Sequence, residues 1–529
     1  MNTLLLSGTN DKDIQTAAQV LASGGLCAIP TETVYGLAAD AYNGQAVKKI
    51  FEAKGRPQDN PLIVHISDIS ALYDLWDYVP EQALRLAQEF WPGPLTMVMK
   101  KTDKIPHEVS CGLDTVGVRF PEHPVARRVI ELAGVPLAAP SANLSGKPSP
   151  TLASHVVEDM QGRIDAILDG GACQVGVEST VVDMTGDVPR VLRPGAVTEE
   201  MIAEVLGDAC TDPAVEGGLK EGEAARSPGM KYRHYAPDSP VTLLCGAPDD
   251  TAKTAIAQPA ASVICFDEYA ADFEVAGFRV VNIGSSWDHA MHARRIFDAL
   301  RLSDGGDKIY VQCPRRVGMG AATVNRLMRA ASFDAVRCTS YPIIGVTGRS
   351  GSGKSYLSAC IGERLNLPVF DSDMEYKKML DSNGEMTRAI LAAFPEADAD
   401  GKVDRRVLGG IVFRDKSKKA LLESITHPLV AAAAREFARA NGGAVLDVPL
   451  LFESGIDRMC TVTLGVVAPE KLIHERICTR DCISADAAAL RLSAQPDTKY
   501  YFDRCDMIVK NNGDSQASLD KILSKLTKI

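Results

Sequence analysis

Residues 343–355 read Ile-Ile-Gly-Val-Thr-Gly-Arg-Ser-Gly-Ser-Gly-Lys-Ser, an apolar run followed by a glycine-rich loop, and a helical pattern follows over residues 356–365. The last eight residues fit the pattern G-x-x-x-x-G-K-S in the order strand, loop, helix. The glycines allow backbone N–H groups to converge on phosphate oxygens, and the start of the helix adds its positive dipole end. This stretch therefore predicts a phosphate-binding loop in an α/β domain.

Each polar group of the loop has a predicted role. We expect Lys354 to bridge the terminal phosphates of ATP and the Ser355 hydroxyl to hold Mg²⁺. The predicted ATP-binding residues of the loop are Gly348, Ser350, Gly351, Ser352, Gly353, Lys354 and Ser355.

Two carboxylates, Asp371 and Asp373, follow the next apolar run, where an acceptor hydroxyl near the loop can lose its proton. Capping of the helix that begins near Met374 is the alternative for either residue. Farther on, two predicted helices over residues 470–479 and 485–494 carry a group of basic residues. These side chains either close over phosphates or form a solvated helix face, and they are Arg476, Arg480 and Arg491, with Gln495 beside them.

Residues 342–529 resemble dephospho-CoA kinases. The resemblance rests on the loop, the D-x-D at Asp371–Asp373, Val403–Leu408, Thr426-His427-Pro428, the D-x-P-L-L-F-E at Asp447–Glu453 and Asp506–Asn512, which occur in the family's order. It implies transfer of the ATP γ-phosphate to the ribose 3′-hydroxyl of dephospho-CoA. It also implies that Asp373 is the base, with Lys354 catalytic, and that the three arginines belong to a lid.

Cations and short polar side chains also recur at strand ends in the first two hundred residues. Because α/β sheets bind ligands where their strands end, this pattern predicts a cleft for a nucleoside triphosphate and a small zwitterion. The alternatives are an ordinary solvated residue for Lys54 or Arg56, a core histidine for His65, and ordinary turn formers for Ser141 and Asn143. The motifs are Cys27–Leu37, Ala53–Pro57, Asn60–Ile66, Thr115–Phe120, Pro140–Gly146, Gly176–Val182 and Val191–Gly195.

These motifs resemble the YrdC-type threonylcarbamoyl-adenylate synthases, and residues 1–335 resemble the long form of that family. The P-T-E-T-V-Y-G-L, K-x-R, N-P-L-I-V-H, W-P-G-P-L-T, S-x-N and V-E-S-T-V-V-D motifs are intact, as are a linker like Ser227–Pro237 and the stretch Gly318–Leu327. The resemblance implies that L-threonine, bicarbonate and ATP give threonylcarbamoyl-AMP and pyrophosphate. A tRNA-modifying transferase complex downstream would take this product.

The same resemblance assigns residue roles. It implies that the carboxylate of threonine meets Arg119, that Lys54 and Arg56 stabilise charge on the α-phosphate, and that Tyr235 on the linker gates the nucleotide. Threonine is expected at Thr31, His65, Arg119 and Ser179. ATP is expected at Lys54, Arg56, Thr115, Ser141, Asn143, Arg193 and Tyr235.

The chain of 529 residues, at roughly 150 residues per domain, predicts about three α/β domains. They are a YrdC-like twisted sheet over 1–210, a small Rossmann-like domain over 241–340 after a linker at 211–240, and a P-loop parallel-sheet domain with a helical lid over 341–529.

A net charge of −11 argues against tight direct nucleic-acid binding. With no signal peptide or apolar span, a cytoplasmic enzyme with reduced cysteines and no membrane partner is expected. The alternative is an RNA-binding YrdC-like module fused to a P-loop kinase of another nucleoside or nucleotide.

Overall fold

The computed structural model describes residues 2–217, 235–258, 262–382, 384–512, 519–520, 522–523 and 526. The chain divides into two compact units, Met1–Leu244 with Gln258–Val336, and Cys245–Ala257 with Arg337–Ile529. All thirteen cysteines lie in described residues and are free thiols. Among the described helices, none combines the length and the apolar character needed to span a membrane. The predicted linker at 211–240 lies largely outside the described residues.

The first unit contains an 11-stranded mixed sheet in the order β1-β8-β2-β3-β7-β4-β6-β5-β9-β10-β11, counted over the described residues. The strands are β1 (Leu4–Ser7), β2 (Cys27–Ile29), β3 (Gly36–Asp40), β4 (Ile63–His65), β5 (Leu95–Lys100), β6 (Thr115–Arg119), β7 (Leu137–Ala138), β8 (Ala166–Asp169), β9 (Thr180–Asp183), β10 (Arg190–Arg193) and β11 (Cys210–Thr211).

Helices pack against this sheet and begin and end at residues suited to those positions. Asn43 caps α2 by accepting from the backbone N–H groups of Gln45 and Ala46, and Gly55 ends it with a φ of 61°. Lys54 is therefore the last residue of a helix that stops at the cleft described below. The helices are α1 (Asp11–Ala22), α2 (Gly44–Lys54), α3 (Leu72–Leu75), α4 (Glu81–Phe90), α5 (His107–Ser110), α6 (Pro124–Ala133), α7 (Ala153–Met160), α8 (Glu199–Leu206) and α9 (Ala214–Gly217).

A second sheet, with five described strands, has the order β14-β13-β15-β12-β16. The pairs β12–β15, β13–β15 and β13–β14 are parallel, as expected for a Rossmann-like domain. The strands are β12 (Val241–Cys245), β13 (Ser262–Cys265), β14 (Arg279–Asn282), β15 (Ile309–Gln312) and β16 (Ala335–Arg337), and the helices of the first unit here are α11 (Ala270–Val275), α12 (His289–Leu302) and α13 (Met319–Ala330).

The second unit is built on a parallel sheet in the order β18-β21-β17-β22-β23, again over the described residues. The central strand β17 leads into the glycine-rich loop, which confirms the predicted P-loop architecture. The strands are β17 (Ile343–Gly348), β18 (Val369–Asp371), β21 (Ala444–Asp447), β22 (Val462–Val467) and β23 (Met507–Lys510), with the small pair β19 (Asp398–Ala399) and β20 (Lys402–Val403).

The helices of this unit pack around the parallel sheet, and α19 and α20 carry the three arginines of the predicted lid. Apolar side chains from β21 and the long helix α18 share one buried cluster, which explains why β21 is apolar until its final Asp. The helices are α10 (Pro248–Ile256), α14 (Lys354–Leu365), α15 (Ser372–Asp381), α16 (Glu385–Ala393), α17 (Arg405–Arg414), α18 (Lys416–Ala440), α19 (Glu470–Asp481), α20 (Ala485–Ser493) and α21 (Thr498–Arg504).

Candidate active sites

A cleft with about 740 Å³ of empty space opens in the first unit where β4 and β6 end. Its wall combines cations, hydroxyls, an amide, a carboxylate and a tyrosine around a few apolar side chains. The lining residues are Thr31, Thr33, Val34, Gly36, Lys54, Arg56, Ile63, His65, Arg119, Ala139, Pro140, Ser141, Asn143, Ser145, Gly146, Lys147, Glu178, Ser179, Arg193 and Tyr235.

Strand register places the first polar group of the cleft. β4 and β6 run parallel and pair His65 with Arg119, so both residues reach the same sheet edge. The antiparallel strand β5 pairs Thr96 with Arg119. The hydroxyls of Thr96 and Ser179 are 2.8 Å apart, which ties the residue before β9 to this edge.

Arg119 already faces a carboxylate within the protein. Its Nη2 lies 2.7 Å from Glu32 Oε1, and both side chains are 4% exposed. The contact is mainly ionic, because neither Glu32 oxygen accepts a hydrogen bond of good geometry in the described structure. Arg119 therefore presents a buried positive charge that is only partly satisfied, at the position where the sequence resemblance implies a substrate carboxylate.

Lys54 organises the loop on the other side of the cleft. Its Nζ donates to the carbonyl oxygens of Ser141 at 2.5 Å and Asn143 at 2.6 Å, and the Ser145 N–H donates to the Lys54 carbonyl at 3.0 Å. Burial, followed by the nearby Arg56 cation, lowers the pKa of Lys54 well below its usual value. Lys54 thus fixes a hydroxyl- and amide-bearing loop whose side chains line the cleft.

His65 is a neutral imidazole in this environment. Burial lowers the pKa of His65 to about 3, and the neighbouring Arg119 cation acts in the same direction. Its Nδ1 is 3.2 Å from the Ile63 carbonyl oxygen. The side chain therefore contributes shape and one polar contact to the cleft, without a second charge beside Arg119.

Arg193 and Glu178 are two further charged residues that line the cleft. Arg193 donates from Nε to the Ser179 carbonyl and from Nη2 to the Ser179 hydroxyl, both at 3.1 Å. Burial lowers the pKa of Arg193 to about 10. The two Glu178 carboxylate oxygens accept from Ser149 Oγ at 2.6 Å and Arg326 Nε at 2.9 Å. Arg326 and Arg193 more than offset the effect of burial, so the pKa of Glu178 is lowered and its charge is retained.

Tyr235, near the end of the predicted linker, lines the cleft. It is buried, has a φ of 66°, and packs its ring on Phe297 with centroids 5.1 Å apart. The next residue, Ala236, donates its N–H to the Gly146 carbonyl at 2.9 Å. Residues 231–234 lie outside the described chain, but Tyr235 itself is at the predicted place.

The glycine-rich loop of the second unit has the geometry its sequence requires. Lys354 begins α14 directly after Gly353, which has a φ of 94°. A Cβ on Gly353 would lie 2.2 Å from Asn511 Nδ2, which donates to the Ser352 carbonyl at 2.8 Å. Glycine is therefore needed there for both conformation and space.

Asp447 stands beside the two functional residues that end the loop. Its Oδ1 lies 3.7 Å from Lys354 Nζ, and the nearby Ser355 hydroxyl acts to lower the pKa of its carboxyl group. Burial raises the pKa of Asp447, although Lys354 opposes this effect. Oδ1 is buried and accepts no hydrogen bond in the described structure. An orphaned carboxylate oxygen next to a serine hydroxyl matches the oxygen ligands that Mg²⁺ takes.

The two carboxylates after β18 have different local roles. Asp371 caps α15, its Oδ1 accepting from the backbone N–H groups of Asp373 at 2.9 Å and Met374 at 3.0 Å. Asp373 is exposed in the first turn of that helix. Both carboxylates act electrostatically on Asp447, so this edge of the sheet gathers three acidic groups. The capping alternative thus applies to Asp371.

Arg476 of α19 and Gln495, which follows α20, contact the glycine-rich loop, the first as a donor and the second as an acceptor. Arg476 Nη1 donates to the carbonyls of Gly351 at 3.3 Å and Ser352 at 3.4 Å. Gln495 Oε1 accepts from the Ser350 backbone N–H at 2.9 Å. Arg476 and Gln495 therefore hold the loop, and their charge and polarity are also suited to binding phosphates.

The other two lid arginines share one acidic partner. Arg480 contacts the Ser350 hydroxyl at 3.2 Å and also pairs with Asp481. Arg491 pairs with the same carboxylate at 2.6 Å. Asp481 therefore links the two arginines across α19 and α20.

Comparison with known proteins fits these two sites. Residues 19–195 match a family described as Telomere recombination, and residues 197–332 match the Threonylcarbamoyl-AMP synthase C-terminal domain. Threonylcarbamoyl-AMP synthases of Pyrococcus abyssi and Bacillus subtilis are each 45% identical to this chain, covering 61% and 62% of it and 95% and 96% of themselves. The chain belongs to the threonylcarbamoyl-AMP synthase family. A crystal structure of P. abyssi Sua5 complexed with L-threonine is 42% identical, with a TM-score of 0.57 over 64% of this chain and 99% of that one.

The remainder of this synthase chain carries a second enzyme domain. Residues 342–517 match the family described as Dephospho-CoA kinase. The chain therefore combines the domains of the threonylcarbamoyl-AMP synthase family with a dephospho-CoA kinase domain, and both expected enzyme classes and the use of ATP are confirmed.

The synthase cleft brings together most of the residues singled out from the sequence. Thr115 is not among its lining residues, because it begins β6 while Arg119 ends that strand, about 13 Å away at 3.3 Å per residue. The sequence reasoning gave no role to Glu32, Glu178 or Asp447, although all three stand in quoted motifs. The residues that line the cleft as expected are Thr31, Lys54, Arg56, His65, Arg119, Ser141, Asn143, Ser179, Arg193 and Tyr235.

Proposed function

We propose that the synthase cleft converts L-threonine, bicarbonate and ATP into threonylcarbamoyl-AMP and pyrophosphate. The observation that carries this proposal is the convergence of five cationic side chains on one cleft with about 740 Å³ of empty space, namely Lys54, Arg56, Arg119, Lys147 and Arg193. Arg119 lies at one end, and Lys54, Arg56 and Arg193 supply the positive charge that a triphosphate needs. The Pyrococcus relative in complex with L-threonine supports the same assignment.

The reaction requires positioning and charge stabilisation, with no covalent protein nucleophile. The threonine amine and bicarbonate condense to a carbamate with loss of water, and one carbamate oxygen then bonds to the α-phosphorus as the bond to pyrophosphate breaks. Arg119 binds the threonine carboxylate, and His65, Thr31 and Ser179 surround it. Lys54, Arg56 and Arg193 offset the charge that develops around the α-phosphorus and the leaving pyrophosphate.

We propose that Ser141, Asn143 and Thr115 bind ATP on the other side and that Tyr235 gates the nucleotide. The buried ring of Tyr235 and the backbone bond between Ala236 and Gly146 support a closing role, since they bring the end of the linker over the Ser141–Gly146 loop. Thr115 has the weakest support, because it does not line the cleft.

The synthase proposal is tested by pyrophosphate release that depends on both threonine and bicarbonate, with threonylcarbamoyl-AMP identified by mass. Lys54→Met is expected to abolish it. Lys49→Met is the matched control, because Lys49 lies on the same helix and donates to the Gly24 carbonyl at 2.8 Å, outside the cleft lining. Equal loss in both variants would count against a role in the cleft.

We propose that the second unit transfers the γ-phosphate of ATP to the ribose 3′-hydroxyl of dephospho-CoA. Asp373 accepts the proton of the hydroxyl as its oxygen bonds to the γ-phosphorus and ADP leaves. Lys354 neutralises the terminal phosphates, and Arg476, Arg480 and Arg491 close over them. Support comes from the exposed carboxylate of Asp373 beside the loop, whereas Asp371 is already used as a helix cap.

Mg²⁺ enters with ATP in this proposal, held by Ser355 and Asp447. When bound, the ion neutralises phosphate charge. In the described residues no group of three His, Cys, Asp or Glu side chains is arranged as a metal site, so phosphate and water oxygens would complete the ligand set.

Competition among nucleosides, nucleotides and dephospho-CoA tests the acceptor. Asp373→Asn is expected to lower phosphorylation of dephospho-CoA by about 10²-fold or more while ATP still binds. Asp371→Asn is the matched control, because asparagine still caps the helix. Equal loss in the two variants would contradict Asp373 as the base.

We propose that threonylcarbamoyl-AMP leaves the chain and is taken up by a tRNA-modifying transferase complex. The net charge of −11 supports a link to tRNA through a released product. Adding that complex and tRNA in a separate dialysis chamber should still yield modified tRNA, whereas a need for direct contact would contradict this proposal.

A further inference from the structure

Arg326 of helix α13 is completely buried, and three of the oxygens to which it donates lie outside its own helix. Its Nε donates to Glu178 Oε2 at 2.9 Å and its Nη1 to the Pro194 carbonyl at 2.6 Å. Its Nη2 lies 3.3 Å from the Glu178 carbonyl. The planar guanidinium can hold these oxygens simultaneously because its donors diverge in a fixed fork.

The partners of Arg326 lie on the two turns that carry functional side chains of the cleft. Glu178 precedes Ser179, and Pro194 follows Arg193. Ser179 and Arg193 are themselves joined by two hydrogen bonds at 3.1 Å. Arg326 thus binds both turns, although it does not itself line the cleft.

Ser179 has a second support that does not pass through Arg326. The Thr96 hydroxyl lies 2.8 Å from the Ser179 hydroxyl and belongs to strand β5. The Pro194 carbonyl, in contrast, is held by Arg326 directly beside Arg193. Loosening Arg326 should therefore displace Arg193 more than Ser179.

The neighbouring residue extends this connection to the linker. Asn325 Nδ2 donates to the Val215 carbonyl at 3.0 Å, shortly before the undescribed residues 218–234. At the other end of those residues, Tyr235 packs on Phe297 of α12. Both described ends of the linker thus rest on helices of the Rossmann-like part of the first unit.

We propose that Arg326 is a positioning residue of the synthase: it sets Arg193 against the reacting phosphate through Glu178 and Pro194. This inference rests on the proposed synthase reaction. It gives the second α/β domain a part in positioning a catalytic group of the first.

The test compares Arg326→Gln with Arg301→Gln in the full chain. Arg301 makes a similar buried contact from α12, donating to Asp159 Oδ2 and to the Pro148 carbonyl, both at 2.7 Å, and neither partner lines the cleft. Dephospho-CoA phosphorylation by the same samples gives the concentration of active chain. Thermal unfolding measures stability separately.

We expect Arg326→Gln to lower kcat about tenfold or more, because Arg193 acts on the transition state. The KM for threonine should rise by less than about threefold, because Thr96 still holds Ser179. Arg301→Gln should lose a similar amount of stability while its kcat stays within about twofold of wild type.

Arg326→Lys separates charge from geometry and serves if the Gln variant does not fold. Lysine neutralises Glu178 but cannot hold all three oxygens, so we expect it to recover stability while kcat stays low. Full recovery of kcat by lysine, or equal kcat losses in Arg326→Gln and Arg301→Gln, would overturn the inference. A wild-type chain that releases no threonine-dependent pyrophosphate would instead overturn the proposed function itself.

Discussion

The buried pair of Arg119 and Glu32 provides a quantitative test of the synthase cleft. Glu32→Gln keeps the size of the side chain and removes its charge, leaving Arg119 without its carboxylate. Both side chains are 4% exposed, so solvent screens the interaction little. Removing one partner of a buried pair costs about 3–5 kcal/mol, and because glutamine keeps a polar carbonyl oxygen of the same size facing Arg119 we expect the lower value, about 3 kcal/mol.

The expected change in melting temperature follows from this energy. For a unit of this size, about 2 °C per kcal/mol gives a decrease of about 6 °C in the synthase transition. Threonine at about 100 times its Kd stabilises a folded protein by about 2.7 kcal/mol. At a fixed threonine concentration its effect should be larger in Glu32→Gln, because the substrate carboxylate then replaces the missing charge beside Arg119.

Differential scanning calorimetry with and without threonine measures both effects. Glu131→Gln is the matched control: Glu131 pairs with Arg128 at 2.8 Å, but the two side chains are 63% and 51% exposed. Solvent screening limits that pair to below about 1 kcal/mol. If Glu32→Gln melts like Glu131→Gln and its threonine shift equals that of wild type, the interpretation of Arg119 as a partly satisfied carboxylate site is wrong.

Three further predictions address pH, metal and the phosphate loop. Because the pKa of His65 is about 3 in the fold and about 6.5 when unfolded, only the unfolded state takes up its proton as pH falls below about 6.5. Stability should therefore drop by about 2 kcal/mol between pH 7 and 5 through this residue, and unfolding of His65→Asn over that range should show a shallower decline. Asp447→Asn should raise the Mg²⁺ concentration needed for kinase activity and leave pyrophosphate release unchanged, as titration of both activities would show. Gly353→Ala should prevent ATP binding by the kinase unit in calorimetry, because its Cβ would collide with Asn511 at a φ of 94°.

The features that were predictable from the sequence are those whose chemistry is local. The strand, loop and helix around Lys354 lie within one continuous segment, and the structure has them at β17 and α14. The polar motifs of the first unit were also recognisable, because each directly follows or ends a short apolar strand. Sheet register then brings them to one edge, as with His65 and Arg119.

The buried acidic residues could not be assigned from sequence because their partners are remote. Glu178 and Arg326 are separated by 148 residues, and the pairing depends on how α13 packs behind the cleft. Glu32 is flanked by two threonines in a motif that was noticed, yet its neighbours give no indication of Arg119. Asp447 had one usable signal, a single carboxylate ending an otherwise apolar strand. Thr115 is a different case: alternation along β6 predicts which face of the sheet it lies on, but does not predict that it lies outside the lining of the cleft.

Helix α10 belongs to the second compact unit, although the sequence boundaries placed it in the Rossmann-like domain over 241–340. Residues 245–257 are part of that second unit, and Asp249 of α10 forms an ion pair with Arg435 of α18. A chain cut near residue 340 would separate these residues. Independence of the two activities is therefore better tested by point substitutions in the full chain.

The central claim is that one chain carries two separate ATP-dependent activities, and a paired assay of Lys54→Met and Lys354→Met tests it most directly. Each purified full-length variant is given both substrate sets, with pyrophosphate release and dephospho-CoA phosphorylation followed in parallel. We predict that Lys54→Met loses only the first activity and Lys354→Met only the second. Absence of either activity in the wild-type chain, or loss of both in one folded variant, would contradict the account.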